Sequence, residues 1–260
     1  MCLIGIAFQQ HSDYPLLLLA NRDEFHSRPT QPTAFWPDHP TVVAGRDLQG
    51  GGTWMGFSTS GRFAAVTNFR DPSRHKQDAP TRGGLVVDWI TGERPYLDFG
   101  TDLLQICGQF NGFNLLFGDA RQLWYLTNIT PSLEQLEPGI HAVSNHLLNS
   151  DWPKCQAARD ALRQTLSMSD LRNSDVLFDC LTDRTIAGDE RLPSTGVPLA
   201  LERSLSAVFV QLPGYGTRSS TVAAMAHDGN GLVLERTWDE QGLEGPAVEL
   251  PFQWRINSSD

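Results

Sequence analysis

The chain has 260 residues, of which 40% are hydrophobic, and its formal net charge is -10 at pH 7. This length and composition are enough for one substantial core, and we expect a single domain over residues 1–260. The acidic balance disfavours general electrostatic binding to nucleic acid or anionic lipid. No apolar run approaches the roughly twenty residues that cross a bilayer, so we expect a soluble protein without stable membrane insertion.

The beginning of the chain and its cysteines indicate a cytoplasmic protein. The first residues, MCLIGIAFQQHSD, turn polar too early for the apolar centre of a secretory signal. The cysteines show neither a CxxC pair nor the His/Cys spacing of a structural zinc site. We therefore predict a reducing compartment, no disulfide framework and no metal; the four cysteines are Cys2, Cys107, Cys155 and Cys180.

Apolar runs bounded by turn residues predict strands, and leucines or alanines recurring every three or four residues predict helices. Strands are predicted at 2–8, 15–25, 62–69, 111–119, 123–128, 139–145, 207–212, 220–228 and 231–238. Helices are predicted from Gly83 to Gly92, Leu103 to Gly108, Trp152 to Met168 and Ser174 to Thr182. The segments 27–42 and 188–205 are predicted as long loops, either walls of a cleft or plain surface connections. Strands at both ends with helices between them predict a layered α+β domain.

Cys2 stands directly behind the initiator methionine. If Met1 is removed, a thiol and a free α-amine share one residue. An α-amine has a pKa of about 7.7 to 8.0 and a thiol one of about 8.5, so the amine can accept the thiol proton near neutral pH. This is the logic of an N-terminal nucleophile. The alternative is an inert buried cysteine that only fills the core.

Four polar residues, Asn21, Arg22, Asp23 and Glu24, end the apolar strand predicted at 15–25. Because side chains alternate along a strand, Asn21 and Asp23 point one way while Arg22 and Glu24 point the other. A carboxylate near the terminal amine would orient it and tune its pKa. A structural network of buried ion pairs is the alternative.

Three further polar residues, Asn68, Asn145 and Arg218, lie at the ends of apolar strands. An asparagine can donate from its side-chain amide to an oxyanion, and an arginine can hold a carboxylate or phosphate. Each residue alone also suits a turn or a cap. Their recurrence favours a common site.

Several stretches together resemble the NRDE-motif family, also called the transport and Golgi organization family: MCLIGIAF, LLLANRDEF, AGRDLQGGGTWMGFSTSGRFAAVTNFR, VSNHLLNSDWPK and YGTRSSTV. The resemblance implies an N-terminal-nucleophile-like fold, a four-layer αββα sandwich of two stacked antiparallel sheets. It extends to cysteine acylases such as penicillin V acylase and bile salt hydrolase. Carried over, it implies catalytic roles for Cys2, Arg22 with Asp23, Asn68, Asn145 and Arg218. Because NRDE is contiguous here, either Asp23 or Glu24 is the site carboxylate.

The resemblance also implies a competing function. Eukaryotic members are linked to haem mobilisation and to lipid or acyl-coenzyme A metabolism, which suggests a carrier that uses the same cleft without turnover. Haem would then be a ligand, bound by the Cys2 thiolate or by a histidine such as His26 or His146. As an enzyme, the protein would hydrolyse an amide C–N bond with no cofactor required for catalysis. A third reading is a structural protein in which Cys2 is unreactive; the sequence gives no oligomeric state.

The glycine run in GGGTWMG lacks the lysine and serine of a P-loop. We predict instead a flexible turn that places Trp54 beside the cleft. Trp54 and Phe69 would form an apolar wall for an acyl chain or a porphyrin, although core packing also explains them. The predicted ligand-binding set is Asn21, Glu24, Trp54, Phe69 and His146.

Overall fold

The computed structural model describes residues 2–167 and 175–255, which form two seven-stranded antiparallel sheets. The first sheet contains β1 (Cys2–Phe8), β2 (Leu16–Phe25), β10 (Gly139–Val143), β11 (Gln211–Leu212), β12 (Tyr215–Met225), β13 (Asn230–Trp238) and β14 (Glu244–Gln253). The second contains β3 (Thr30–Trp36), β4 (His39–Asp47), β5 (Met55–Ser58), β6 (Phe63–Asn68), β7 (Phe113–Gly118), β8 (Leu123–Thr127) and β9 (Ser132–Leu136). The first sheet has the order β10-β1-β2-β12-β13-β14, with β11 beside β12, and the second runs in chain order.

Helices cover the outer face of each sheet. On the second sheet, α1 (Gly83–Thr91) and α2 (Tyr96–Ile106) share an apolar cluster with side chains such as Phe117. On the first sheet, α3 (Pro153–Thr165) and α4 (Asp175–Leu181) do the same with Leu3 and Leu19, and α5 (Leu199–Ser206) precedes β11. A third cluster, with Ile4, Ile6, Phe57 and Phe63, fills the space between the sheets. The predicted α+β class and αββα sandwich are confirmed.

The first two strands are buried because the sheet that holds them is covered on both faces. All seven residues of β1 and the first eight of β2 are buried, which explains why both read as nearly continuous apolar runs. Their antiparallel register sets Cys2 opposite Arg22 and Leu3 opposite Asn21. The beginning of the chain and the NRDE segment therefore lie at the same end of the sheet.

The predicted loop at 27–42 is wrong, because this segment forms β3 and the start of β4. Its prolines hid the pattern, since proline cannot donate a ladder hydrogen bond and is tolerated on edge strands and at bulges. β3 is one of the two edge strands of its sheet, and the register shifts between Gln31 and Ala34, where Pro32 lies. Strands β9 and β14 were not predicted because most of their residues are exposed and no apolar run marks them; β5 was hidden in the glycine-rich segment.

Two helix predictions are also corrected. α2 begins at Tyr96 rather than Leu103, and Gly100, a poor helix former, concealed it. A side chain at Gly100 would meet Leu133 Cδ2 at 2.6 Å, so close packing accounts for the glycine.

The loop predicted at 188–205 ends in α5, which is only eight residues long. Of the strand predicted at 207–212, only the two residues of β11 form a strand. The predicted ends at Met168 and Ser174 lie outside the described residues.

The glycine run before β5 needs its glycines at two positions. Gly51 has a φ of +74°, which disfavours any residue with a side chain. A Cβ at Gly52 would lie 2.6 Å from the backbone carbon of Gly83, so the run and the start of α1 are in close contact. The predicted turn thus carries Trp54 to the cavity described below. Within residues 2–167 and 175–255, the helices are all too short or too polar to cross a bilayer.

Candidate active site

Cys2 begins β1 and is 8% exposed. It faces the space between the sheets, because it has the same parity along β1 as Ile4 and Ile6 of the central cluster. Its cross-strand partner Arg22 shares that face, and the Ser144 hydroxyl donates to the Cys2 carbonyl oxygen over 2.9 Å. The backbone of Cys2 is therefore held by β2 and Ser144, and its side chain lies between the two sheets.

A cavity of about 250 Å³ opens at this cysteine, and we call it the Cys2 cavity. Six residues predicted from the sequence line it, together with Thr53, which follows the glycine run, and the start of α1. The six are Cys2, Arg22, Asp23, Glu24, Trp54 and Asn68. The structure thus brings together the beginning of β1, the end of β2 and the end of β6.

The groups around the Cys2 thiol shift its pKa in opposite directions. Burial raises the pKa of Cys2, and the charge of the amino terminus is the largest effect that lowers it. The carboxylate of Asp23 raises this pKa further, whereas Arg22 lowers it. Because burial dominates, the thiol needs a nearby proton acceptor to form a thiolate at neutral pH.

Asp23 is the more buried of the two candidate carboxylates, at 1% exposed. The Thr217 hydroxyl donates to its Oδ1 over 2.8 Å, and the Tyr215 hydroxyl donates to its backbone oxygen over 3.1 Å. Burial raises the pKa of Asp23, and the charges of Lys154 and the amino terminus are the largest effects that lower it. Its carboxyl group therefore lies within the electrostatic reach of the amino terminus.

Glu24 is placed differently. Its side chain is 21% exposed, it accepts a hydrogen bond from the backbone N–H of Phe25 over 2.9 Å, and it lies 3.8 Å from Arg28. Arg28 in turn makes two hydrogen bonds to Asp47, of 3.1 and 2.6 Å. Glu24 therefore belongs to an ion-pair network with Arg28 and Asp47, whereas Asp23 is buried apart from that network.

The two predicted asparagines occupy different positions. Asn68 is half-buried and lines the cavity, and among the described residues its side-chain amide makes no hydrogen bond. Asn145 is fully buried and does not line the cavity; its Nδ2 donates to the backbone oxygen of Asn68 over 2.9 Å. Asn68 is thus placed to donate into the cavity, and Asn145 holds the backbone of Asn68.

Arg218 lies outside the Cys2 cavity. It lines an adjoining cavity of about 370 Å³ that shares Arg22 and Trp54 with the Cys2 cavity. Its Nη1 donates to three carbonyl oxygens at and just after the end of β2, those of Phe25, His26 and Arg28, over 2.9, 3.3 and 3.1 Å. Arg218 therefore holds the backbone at the end of β2 by hydrogen bonds.

Three further predicted residues do not reach the Cys2 cavity. Asn21 faces the helical layer, where it donates to the carbonyl oxygens of Leu181 and Val208 over 2.7 and 3.0 Å. Phe69 and His146 stack with ring centroids 5.3 Å apart and line another cavity, of about 400 Å³. Asn21 is structural in this arrangement, and the aromatic pair could contact only a ligand that extends beyond the Cys2 cavity.

The sequence reasoning missed three cationic residues near the site: Arg70, Arg82 and Lys154. Arg82 lines the Cys2 cavity and also a neighbouring groove of about 570 Å³, whose wall includes Arg70 and Asn68. Burial lowers the pKa of Arg82, and the charge of Cys2 is the largest effect that raises it. Lys154 is 2% exposed. The one available signal was composition: the chain contains only two lysines, Lys76 and Lys154.

The described residues include no cluster of three or more histidine, cysteine, aspartate or glutamate side chains placed to hold a metal ion. The Cys2 cavity is lined by a thiol, carboxyl groups, asparagine amides and arginines. These groups suit nucleophilic attack on a carbonyl or the binding of an anionic ligand.

The two stacked sheets with outer helices form the αββα sandwich that the family resemblance implies. Among solved structures, the chain is similar to the Caenorhabditis elegans ortholog of N-acylethanolamine-hydrolyzing acid amidase, with a TM-score of 0.45, 9% identity, and coverage of 86% of this chain and 92% of that chain. It is also similar to a mutant conjugated bile acid hydrolase from Clostridium perfringens, with a TM-score of 0.46, 9% identity, and coverage of 99% and 97%.

Sequence comparison gives the family. The model of the family "Transport and Golgi organisation 2" matches residues 1–240. The Transport and Golgi organization protein 2 homolog of Homo sapiens is 31% identical over 263 residues, covering 94% of this chain and 95% of that protein. The Drosophila melanogaster protein is 29% identical over 270 residues, covering 91% and 92%. The chain belongs to the Transport and Golgi organisation 2 family, as predicted.

Proposed function

We propose that this protein is a cysteine amidase of the N-terminal-nucleophile type, which hydrolyses the C–N bond of a small-molecule amide. Cys2 is the nucleophile, and its own α-amino group, exposed by removal of Met1, is the base. Asp23 orients that amino group, and the side-chain amide of Asn68 donates to the oxyanion. The observation that carries this proposal is that Cys2, Asp23 and Asn68 line one cavity.

The reaction follows from the groups in the cavity. The neutral α-amine takes the thiol proton, and the sulfur attacks the amide carbonyl to form a C–S bond and an oxyanion. The C–N bond then breaks, and the leaving amine takes the proton from the ammonium. Water attacks the resulting thioester, its proton passes through the same amine to the sulfur, and the carboxylic acid leaves with Cys2 restored.

A pair of cysteine variants tests this function. The wild-type protein is expected to hydrolyse at least one member of a panel of N-acyl amides and to show a transient acyl adduct on Cys2 by mass spectrometry. Cys2→Ala should abolish both, because no other residue supplies the nucleophile. Cys180→Ala is the matched control, since Cys180 is a half-buried residue of α4 outside the cavity, and it should keep full activity. Hydrolysis by Cys2→Ala at the wild-type rate would contradict the proposal.

The second candidate function is a carrier of an anionic acyl conjugate or of haem in the same space. The observation that favours it is the run of arginines along the groove that continues from the Cys2 cavity, namely Arg70, Arg74 and Arg82. Arginine suits carboxylate and phosphate groups because its donors form a planar fork. Neither His26 nor His146 lines the Cys2 cavity, so a haem there would be held by its carboxylates rather than by these histidines. Equal ligand binding by wild type and Cys2→Ala, without hydrolysis by either, would favour the carrier.

A further inference from the structure

Four ionisable side chains, two acidic and two basic, are buried at the Cys2 cavity and behind it. Asp23, Lys154, Glu202 and Arg70 are 1%, 2%, 2% and 9% exposed. Arg70 Nη1 lies 2.7 Å from Glu202 Oε2, and the guanidinium of Arg70 sits 5.0 Å from the ring of Trp152, two residues before Lys154. We call these four residues the buried tetrad. The two acidic and two basic side chains of the tetrad can neutralise one another when all four are charged. Removing one of them would leave an unpaired buried charge, which is strongly destabilising.

Lys154 has no hydrogen-bond partner among the described residues, although its Nζ is completely buried. It lies in the first turn of α3, the helix that packs on the outer face of β1, and the next residue, Cys155, joins the apolar cluster there. Asp23 points to this same face, since it has the parity of Asn21 along β2. A lysine surrounded in this way is retained at a cost, because a buried amine without a hydrogen bond is unfavourable.

Asp23 and Lys154 shift each other's pKa. Burial lowers the pKa of Lys154, and the negative charge of Asp23 is the largest effect that opposes this; Arg70, Cys155 and Cys2 have smaller effects. Lys154 is also the charge that lowers the pKa of Asp23 most, ahead of the amino terminus and Arg70. Glu202, by contrast, is already satisfied by Arg70 and by the N–H and hydroxyl of Thr195, over 2.9 and 2.5 Å. Asp23 is therefore the acidic group whose charge acts most strongly on Lys154, and its parity along β2 places it on the face of the sheet that α3 covers.

On the basis of the function proposed above, we propose that Lys154 is a positioning residue for the nucleophile: its ammonium group holds Asp23 as the carboxylate that orients the amino group of residue 2. An ionised Asp23 can accept from that amino group with either oxygen, whereas protonation would turn one of these acceptors into a donor. Lys154 acts chiefly through Asp23, because it does not line the cavity and the effect of Cys2 on it is smaller than that of Asp23. The site would then be organised by a lysine that the substrate never touches.

The two lysines of the chain make this relation directly measurable. Protein labelled with ¹³C at the lysine ε-carbon should give two side-chain signals, one from exposed Lys76 and one from Lys154. We expect Lys154 to be charged at neutral pH in the wild type and its titration to move at least about one pH unit lower in Asp23→Asn, because the counter-ion is lost. Lys76 should titrate identically in both. A neutral Lys154 in the wild type, or equal Lys154 titrations in the two proteins, would overturn the proposal.

The consequence for Cys2 is tested in chains that begin at this residue. Lys154→Gln should slow alkylation of Cys2 at pH 7 by about tenfold, corresponding to a change of one pKa unit. Asp23→Asn should slow it similarly, and the double variant should be no slower than either single variant. Lys76→Gln is the matched control and should leave the rate unchanged. Additive losses in the double variant, or a wild-type rate in Lys154→Gln, would overturn the positioning role.

A stability measurement keeps the test decisive if Lys154→Gln folds poorly. Lys154→Met leaves Asp23 as an unbalanced buried charge and should lower Tm by on the order of 10 °C. Adding Asp23→Asn should recover at least half of that loss, because the unbalanced charge is then removed. A double variant no more stable than Lys154→Met would overturn the pairing. Coupling between the two residues in a protein without amidase activity would instead count against the proposed function alone.

Discussion

Asn68→Ala is expected to lower kcat for amide hydrolysis by about 10²- to 10³-fold, the usual effect of removing one oxyanion donor, while leaving the stability of the fold nearly unchanged. The side-chain amide of Asn68 lines the Cys2 cavity and makes no hydrogen bond to the described residues. Its removal therefore breaks no structural contact. KM should change less than kcat, because the oxyanion exists only after attack.

Asn111→Ala is the matched control for this prediction. Asn111 lines the same cavity and the same groove as Asn68. Its side chain is already bound to the backbone of Lys76, with hydrogen bonds of 2.7 and 2.9 Å. Asn111→Ala should thus loosen the segment around Lys76 without a comparable loss in kcat. Steady-state kinetics and thermal unfolding of both variants check the difference, and unchanged kcat in Asn68→Ala would remove Asn68 from the mechanism.

Arg70→Met is expected to lower the free energy of unfolding by about 3 to 5 kcal/mol, because it leaves Glu202 as an uncompensated buried charge. The two side chains are 6% and 3% exposed and lie 2.7 Å apart, so solvent cannot take over the role of the guanidinium. This pair also joins the segment after β6 to α5, two parts of the chain that are distant in sequence. Its loss should therefore loosen the wall of the groove as well as the fold.

Denaturant unfolding measures this effect, with the midpoint interpreted through an unchanged slope. The double variant Arg70→Met with Glu202→Leu should recover most of the lost stability, because the buried charge is gone and apolar volume replaces it. The exposed pair of Arg203 and Asp189 has a similar N···O distance of 2.6 Å. Asp189→Asn should change the stability far less, since exposed ion pairs contribute little. Equal effects in the buried and exposed pairs would contradict the account of the tetrad.

The strands that carry the site could be predicted because burial on both faces leaves a strong apolar pattern. β1 and β2 were both found from their apolar runs, and β6 was found from FAAVTN. The stacking of the two sheets came only with the family resemblance, because periodicity does not report which faces meet. Edge strands were missed for the opposite reason: β3 is interrupted by proline, and β14 is mostly exposed.

The polar residues at strand ends were predictable as a group but not in their individual positions. The register of β1 and β2 brings Cys2 to Arg22, and alternation separates Asn21 from the cavity. Nothing local in the sequence indicates that Arg218 turns to the backbone after β2 or that Lys154 lies behind Asp23. These contacts join residues more than a hundred positions apart, and no pattern of neighbouring residues specifies them.

We propose that the α-amino group of Cys2 activates its thiol, and the pH dependence of Cys2 alkylation is the measurement that tests this activation. Two chains are prepared by proteolytic removal of a tag, one beginning at Cys2 and the other keeping Met1. Burial raises the pKa of the thiol, and only in the chain that begins at Cys2 do the thiol and a free α-amine share one residue, so this chain should react with a midpoint at least about one pH unit lower. That shift corresponds to alkylation about tenfold faster at pH 7. Identical pH profiles for the two chains would contradict the account.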